Sequence, residues 1–183
     1  GGPVLSAPTI AARRFELLER HDHTRRSLLF EPRGHADMYG AILSDPVTPG
    51  ADYGVNFMTN AGYSTMCGHG IIALTTTLIE TGRHPVNGAE TRIVWDTPAG
   101  LVTAMASVDG DRVSSVRFEN VPAARLIAGL EIEVDGSPVA VDLVWGGAFY
   151  ALVPADAVGE TIAPDRVNQL IEAGMAVKQA TMR

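Results

Sequence analysis

Tyr63-Ser64-Thr65-Met66-Cys67-Gly68-His69-Gly70 is the stretch on which the reading of this chain turns. Before it, Gly54-Val55-Asn56-Phe57-Met58-Thr59-Asn60 has the pattern of a strand. After it, Ile71-Ile72-Ala73-Leu74 and Leu78-Ile79 recur at helical spacing as far as Gly82, a C-terminal stop. The only cysteine of the chain, Cys67, is thereby expected at or just before a helix N-terminus. Unpaired backbone N–H groups at such a place favour negative charge, either a thiolate or a bound carboxylate. A thiol so placed can serve as a base or a nucleophile. The helix is not sufficient for this. Its start contributes about 0.3–1 kcal/mol, and one pKa unit corresponds to about 1.4 kcal/mol, so it lowers an ordinary thiol near 8.5 by less than a unit.

The segment 70–81 carries Thr75-Thr76-Thr77 and no charge before Glu80, which predicts a helix buried on nearly all sides. Around it the sequence predicts many short strands. The segment 38–43 alternates and is closed by Asp45-Pro46 and Pro49-Gly50. Segments 92–96, 101–108 and 113–118 form a meander with turns at Pro98-Ala99-Gly100 and Asp109-Gly110-Asp111. Segments 131–134 and 139–145 make a hairpin about Asp135-Gly136-Ser137-Pro138, and 148–153 follows a Gly146-Gly147 break. Thr9 is the expected N-cap of a helix over Ile10–Arg20. A short helical turn is expected over 24–30, and a last helix over 166–178 with Asp165 as its cap. Segment 83–90 reads as an exposed connection.

The 183 residues suffice for one good core. A hydrophobic content of 46% with 19% charged residues is that of a soluble globular protein. The net charge of −7 argues against nucleic acid as a partner, since no basic stretch is longer than a pair such as Arg25-Arg26. No apolar run approaches the roughly 20 residues of a membrane span. One cysteine makes no internal disulfide, and no secretory signal is visible, so a reducing, cytoplasmic setting is expected.

Other chemistries have to be weighed at the same residues. Cys67 can be a small buried hydrophobe. His69 can be read as a general base for Cys67, against which residues two apart on a helix face away from each other. Zinc on Cys67, His69 and His35 lacks the spacing of a metal site. His21 and His23 are one residue apart, a spacing that suits ligands on a strand better than on a helix end.

Five blocks, in order, add a resemblance. Glu31-Pro32-Arg33-Gly34-His35-Ala36-Asp37-Met38-Tyr39-Gly40, Ala51-Asp52-Tyr53-Gly54-Val55-Asn56-Phe57-Met58, Met66-Cys67-Gly68-His69-Gly70, Asp96-Thr97-Pro98-Ala99-Gly100-Leu101-Val102 and Gly146-Gly147-Ala148-Phe149-Tyr150-Ala151 resemble those of the proline racemase family. That family includes hydroxyproline epimerases and trans-3-hydroxy-L-proline dehydratases. The resemblance implies an α/β (α+β) fold, half of a diaminopimelate epimerase-like molecule. In it a curled, mostly antiparallel sheet surrounds a central helix.

It implies cofactor-free chemistry on a small molecule, proline or a hydroxyproline. Cys67 would be the catalytic base, Gly68 and His69 would hold the substrate carboxylate through backbone N–H groups, and Tyr39 would line the ring pocket. No metal is implied. Tyr63-Ser64-Thr65-Met66-Cys67 is closer to the 3-hydroxyproline dehydratases, whereas Ala61 departs from the glutamate usual in that subgroup. Family members are roughly twice as long, so residues 1–183 are expected to be the N-terminal domain of a two-domain enzyme, clipped at both ends. The second domain, with its catalytic cysteine or threonine, would be absent, and the isolated chain inactive. The uncovered face of such a half favours a homodimer.

Overall fold

The computed structural model describes residues 2–183 and divides into two compact units, one reaching to Val121 and the other Pro122–Arg183.

The first unit begins with α1 (Ile10–Arg20), where Thr9 caps as expected and its Oγ1 accepts the Ala12 N–H at 3.0 Å. Helix α2 (Asp22–Leu29) follows directly. Strands β1 (Tyr39–Ser44), β2 (Tyr53–Thr59) and β3 (Gly62–Ser64) precede α3 (Gly68–Glu80), and a meander of β4 (Glu90–Thr97), β5 (Gly100–Asp109) and β6 (Arg112–Glu119) completes the unit. The sheet order is β1-β2-β4-β5-β6, with β3 paired to β2. Every pairing is antiparallel except β2 with β4, where Tyr53 stands opposite Trp95 and Gly54 opposite Asp96. A parallel neighbour needs a long crossover, and α3 provides it.

Alternation along β2 builds a core on each face of the sheet. Val55 and Phe57 join Ile71, Leu78 and Ile79 of α3 and Trp95 of β4 in one cluster. Met58, on the opposite face, packs with Leu17 of α1 and Leu29 of α2. Trp95 is fully buried, and its indole N–H donates to Thr75 Oγ1 at 3.1 Å.

The expected all-round burial of α3 is corrected here. Only the stripe Ile71, Thr75, Leu78 and Ile79 is buried, whereas Ile72 is 38% exposed and Ala73 and Thr77 are also exposed. The stripe has the spacing of one helix face, and the sheet covers that face alone. The connection 83–90 is exposed as read, except at His84. That residue is buried, and its Nδ1 lies 3.2 Å from the Tyr53 hydroxyl.

The second unit is an antiparallel sheet of β7 (Ala124–Val134), β8 (Ser137–Trp145) and β9 (Phe149–Leu152), with α4 (Val167–Thr181) packed against it. Val139, Val141 and Val177 form its small core. Strand β7 starts at Ala124, well before the expected 131, because its first half is exposed and shows no apolar alternation. Asp165 is not the cap of α4. It lies in a 3-10 turn, Pro164–Arg166, and Arg166 takes the cap position without a side-chain hydrogen bond. Pro164 fixes that preceding turn. Among the described residues, no helix is long and apolar enough to cross a membrane.

Candidate active site

Strand β3 and the residues after it deliver Cys67. The Ser64 hydroxyl donates to Met66 O at 2.8 Å, shaping the entry into the helix. Cys67 is the N-cap of α3, with extended backbone angles of −151° and 106°. The next residues, Gly68 and His69, are the first two of the helix, so their N–H groups belong to the set without partners inside it.

Cys67 is buried, at 7% exposure, against the first unit's main core cluster. Burial pushes the Cys67 thiol above its ordinary range, and the Gly70 N–H acts in the opposite sense with smaller effect. The helix start therefore does not by itself generate a thiolate, consistent with its magnitude. The pH consequence has a definite sign. A thiol raised in the folded chain adds stability below the ordinary thiol range, and that stability is lost as pH climbs through the folded value. Alkylation of Cys67 by iodoacetamide, followed against pH, should reach half its limiting rate at higher pH in the native chain than in the urea-unfolded chain. A native curve at or below the unfolded one would contradict this environment.

His69 stands closer to the thiol than helix spacing suggests. Cys67 Sγ lies 3.7 Å from His69 Nδ1 and 3.6 Å from Nε2. Two residues apart on a helix would face away from each other, but Cys67 is extended and outside the helix, so the argument from helix spacing does not hold there. The near-equal distances show that neither ring N–H points straight at the sulfur, which a hydrogen bond requires. The contact is a ring lying against the thiol rather than a thiol–imidazole proton relay. Tyr39, at the start of β1 and half exposed, meets the His69 ring edge-on, with centroids 4.8 Å apart. Tyr39, Cys67, Gly68 and His69 thus come together at one place on the first unit.

The glycines around the thiol answer to side chains as well as to any ligand. A Cβ on Gly68 would stand 2.8 Å from the Phe118 ring. On Gly70 it would stand 2.8 Å from the Phe57 ring and 3.2 Å from Cys67 Sγ. Phe57 is 1% exposed and has nowhere to go. Gly70→Ala should therefore cost about 1–3 kcal/mol in a urea unfolding curve. A loss within 0.5 kcal/mol, roughly the size of an ordinary surface substitution, would show that Phe57 yields.

The other blocks have structural work. The buried Asp96 carboxylate accepts the N–H groups of Val47 and Thr48 at 2.9 and 2.7 Å, pinning the loop between β1 and β2. Loop 31–37 is solvated apart from Gly34. Gly146-Gly147 forms the turn before β9, where the Trp145 and Phe149 rings meet at 4.9 Å. A hollow of about 380 Å³ beside Tyr39 is lined also by Arg14, Thr59, Tyr63 and Ser64, but Cys67 is not in its lining. Among the described residues no three of His, Cys, Asp and Glu gather as metal ligands. Sequence reasoning missed the buried Arg25 and the partly buried Asn60, which shape this region. The sole hint was their place within or beside apolar segments.

Comparison with known proteins agrees with this fold. A trans-3-hydroxy-L-proline dehydratase from Colwellia psychrerythraea is 43% identical over 98% of this chain and 51% of its own length. The Homo sapiens protein of the same name is 44% identical over 98% of this chain and 52% of its own. A 3-hydroxyproline 2-epimerase from Burkholderia multivorans is likewise 44% identical, over 54% of its length. The crystal structure of a hydroxyproline epimerase from Agrobacterium vitis, with bound trans-4-hydroxy-L-proline, superposes with a TM-score of 0.92 at 30% identity, covering 98% of this chain and 53% of that one. The chain spans about half the length of the curated relatives it matches. The proline racemase family profile matches residues 1–183, and this chain belongs to that family.

Proposed function

We propose that residues 1–183 are the N-terminal half of a cofactor-free enzyme that removes the α-proton of a hydroxyproline with the Cys67 thiolate. The reaction we assign is the dehydration of trans-3-hydroxy-L-proline. The observation that carries the reading is Cys67 as the cap of α3, with the first N–H groups of the helix beside it. A carboxylate held there would place the α-carbon near the sulfur. The relatives named dehydratases, at 43–44% identity, favour this substrate and reaction. The thiolate also needs more positive potential than one helix start supplies, and the proposal assigns that to the other half of the enzyme.

In the proposed reaction the Cys67 thiolate takes the Cα proton, the C3–O bond breaks with formation of a C2=C3 double bond, and the departing hydroxide takes up that proton and leaves as water. The product tautomerises to the cyclic imine acid. The runner-up is a 2-epimerase, in which a group from the other half returns a proton to the opposite face of Cα. The epimerase from Burkholderia multivorans, at the same identity, favours that reading.

The test is the product of the complete enzyme given trans-3-hydroxy-L-proline. A cyclic imine that borohydride reduces to proline is expected. An epimerised 3-hydroxyproline, with hydroxyl retained, would assign the runner-up. The isolated chain is expected to give neither, because catalysis needs groups held on both sides of the substrate. Turnover by the purified 183-residue chain would overturn its reading as half an enzyme.

A further inference from the structure

Asn60 opens the turn between β2 and β3, and its side chain is used at both ends. Its Nδ2 donates to Leu29 O at 2.8 Å and to His35 O at 3.1 Å. Its Oδ1 accepts the Met38 N–H at 3.1 Å. These three partners are the end of α2, the solvated loop 31–37, and the residue immediately before Tyr39. Gly34 alone in that loop is buried, so apolar packing does little to fix it. The Asn60 bond to His35 O, beside the Arg33 and Gly34 N–H bonds to Phe30 O, fixes the loop, and the bond to Met38 N–H fixes its exit.

Asn60 is itself held. The Arg25 guanidinium, 6% exposed, donates through Nη1 to Thr59 O at 2.9 Å and to Asn60 O at 2.5 Å. Its Nε and Nη2 pair with both carboxylate oxygens of Asp22, at 2.7 and 3.0 Å. The rings of Phe30 and Tyr63 lie 5.6 and 5.9 Å from the guanidinium carbon. The cation is thus fixed from α2, from the β2–β3 turn and from the chain after α2. Tyr39 is paired with Thr59 across β1 and β2, so the residue that Asn60 anchors through Met38 is next to the one that meets His69.

We propose that Asn60, locked by Arg25, is a positioning residue that sets where Tyr39 stands against His69, and so shapes the wall beside Cys67. Its link to turnover rests on the assignment of Tyr39 to the substrate site. Its geometric content does not.

The test follows the ring protons of His69 by NMR in the histidine-labelled chain, assigned by their loss in His69→Gln. Tyr39→Leu supplies the shift expected when the ring contact is lost. Asn60→Ala should move the His69 signals at least halfway to those of Tyr39→Leu, while the His84 signals, beside Tyr53, stay in place. His69 signals at their wild-type positions in Asn60→Ala would overturn the proposal. If Asn60→Ala does not fold, hydrogen exchange at Met38 in the unsubstituted chain decides. Protection of about 100-fold or more supports the anchor, and exchange at the rate of a free loop refutes it. In the complete enzyme, Asn60→Ala should raise KM about 10-fold with a smaller change in kcat, as lost uniform binding does. A moved His69 signal with unchanged KM would keep the positioning role and remove Tyr39 from the substrate site.

Discussion

Replacing Cys67 by serine is expected to cut turnover of the complete enzyme by about 10²–10⁴-fold, the range a positioned general base supplies, and to leave the fold in place. The two halves of that expectation have separate causes. A hydroxyl is a far weaker acid than a thiol, so the alkoxide needed for proton removal is scarcely populated. The fold survives because Cys67 is an N-cap, and serine is among the residues best suited to that position. Circular dichroism and the thermal midpoint should therefore stay near wild type while product formation disappears. Activity within a factor of five of wild type would remove Cys67 from the reaction. A collapsed fold with lost activity would show only that the thiol is part of the core cluster it touches.

Trp95→Ala should be the most damaging single change to the first unit, with a loss of about 3–5 kcal/mol. Trp95 is fully buried where β2, α3 and β4 meet, and its ring lies 5.6 Å from that of Tyr53. Truncation opens a cavity and also leaves the fully buried Thr75 hydroxyl without its indole partner. Domains of this kind are stable by only about 5–15 kcal/mol, so the loss is a large fraction of the total. Urea unfolding followed by circular dichroism measures it. A destabilisation below 1 kcal/mol, about the median for a point substitution, would mean that the cluster closes over the gap.

Much of this could be read from the residues, for reasons that differ by element. Helix α1 was legible because its cap and its apolar stripe agree. The meander of β4, β5 and β6 was legible because its turns carry glycine where a positive φ is required, as at Gly100 and Gly110. The position of Cys67 followed from the switch between strand and helix periodicity. Burial around α3 was misjudged because composition reports how apolar a helix is and not how much sheet is there to cover it. The Cys67–His69 contact was missed because spacing rules assume that both residues are inside the helix.

Asn56 was beyond the sequence altogether. It is fully buried in β2 with neither amide atom partnered among the described residues, on the face it shares with Met58, where a second core covers the strand. The anchors Asn60 and Arg25 are of the same kind. Apart from Asp22, three residues before Arg25, their partners are backbone groups brought near by tertiary folding, which no local pattern encodes.

The two compact units divide the chain's tryptophans between them, Trp95 in the first and Trp145 in the second. Each unit thus carries its own optical probe. Trp95, sealed in the core, should emit at the blue end of the indole range, and the partly exposed Trp145 to the red of it. Trp145→Phe leaves fluorescence that follows the first unit alone, and Trp95→Phe leaves the second. Whether one melting event or two separates the native chain from the unfolded one can then be read without attaching any dye, from light the protein emits itself.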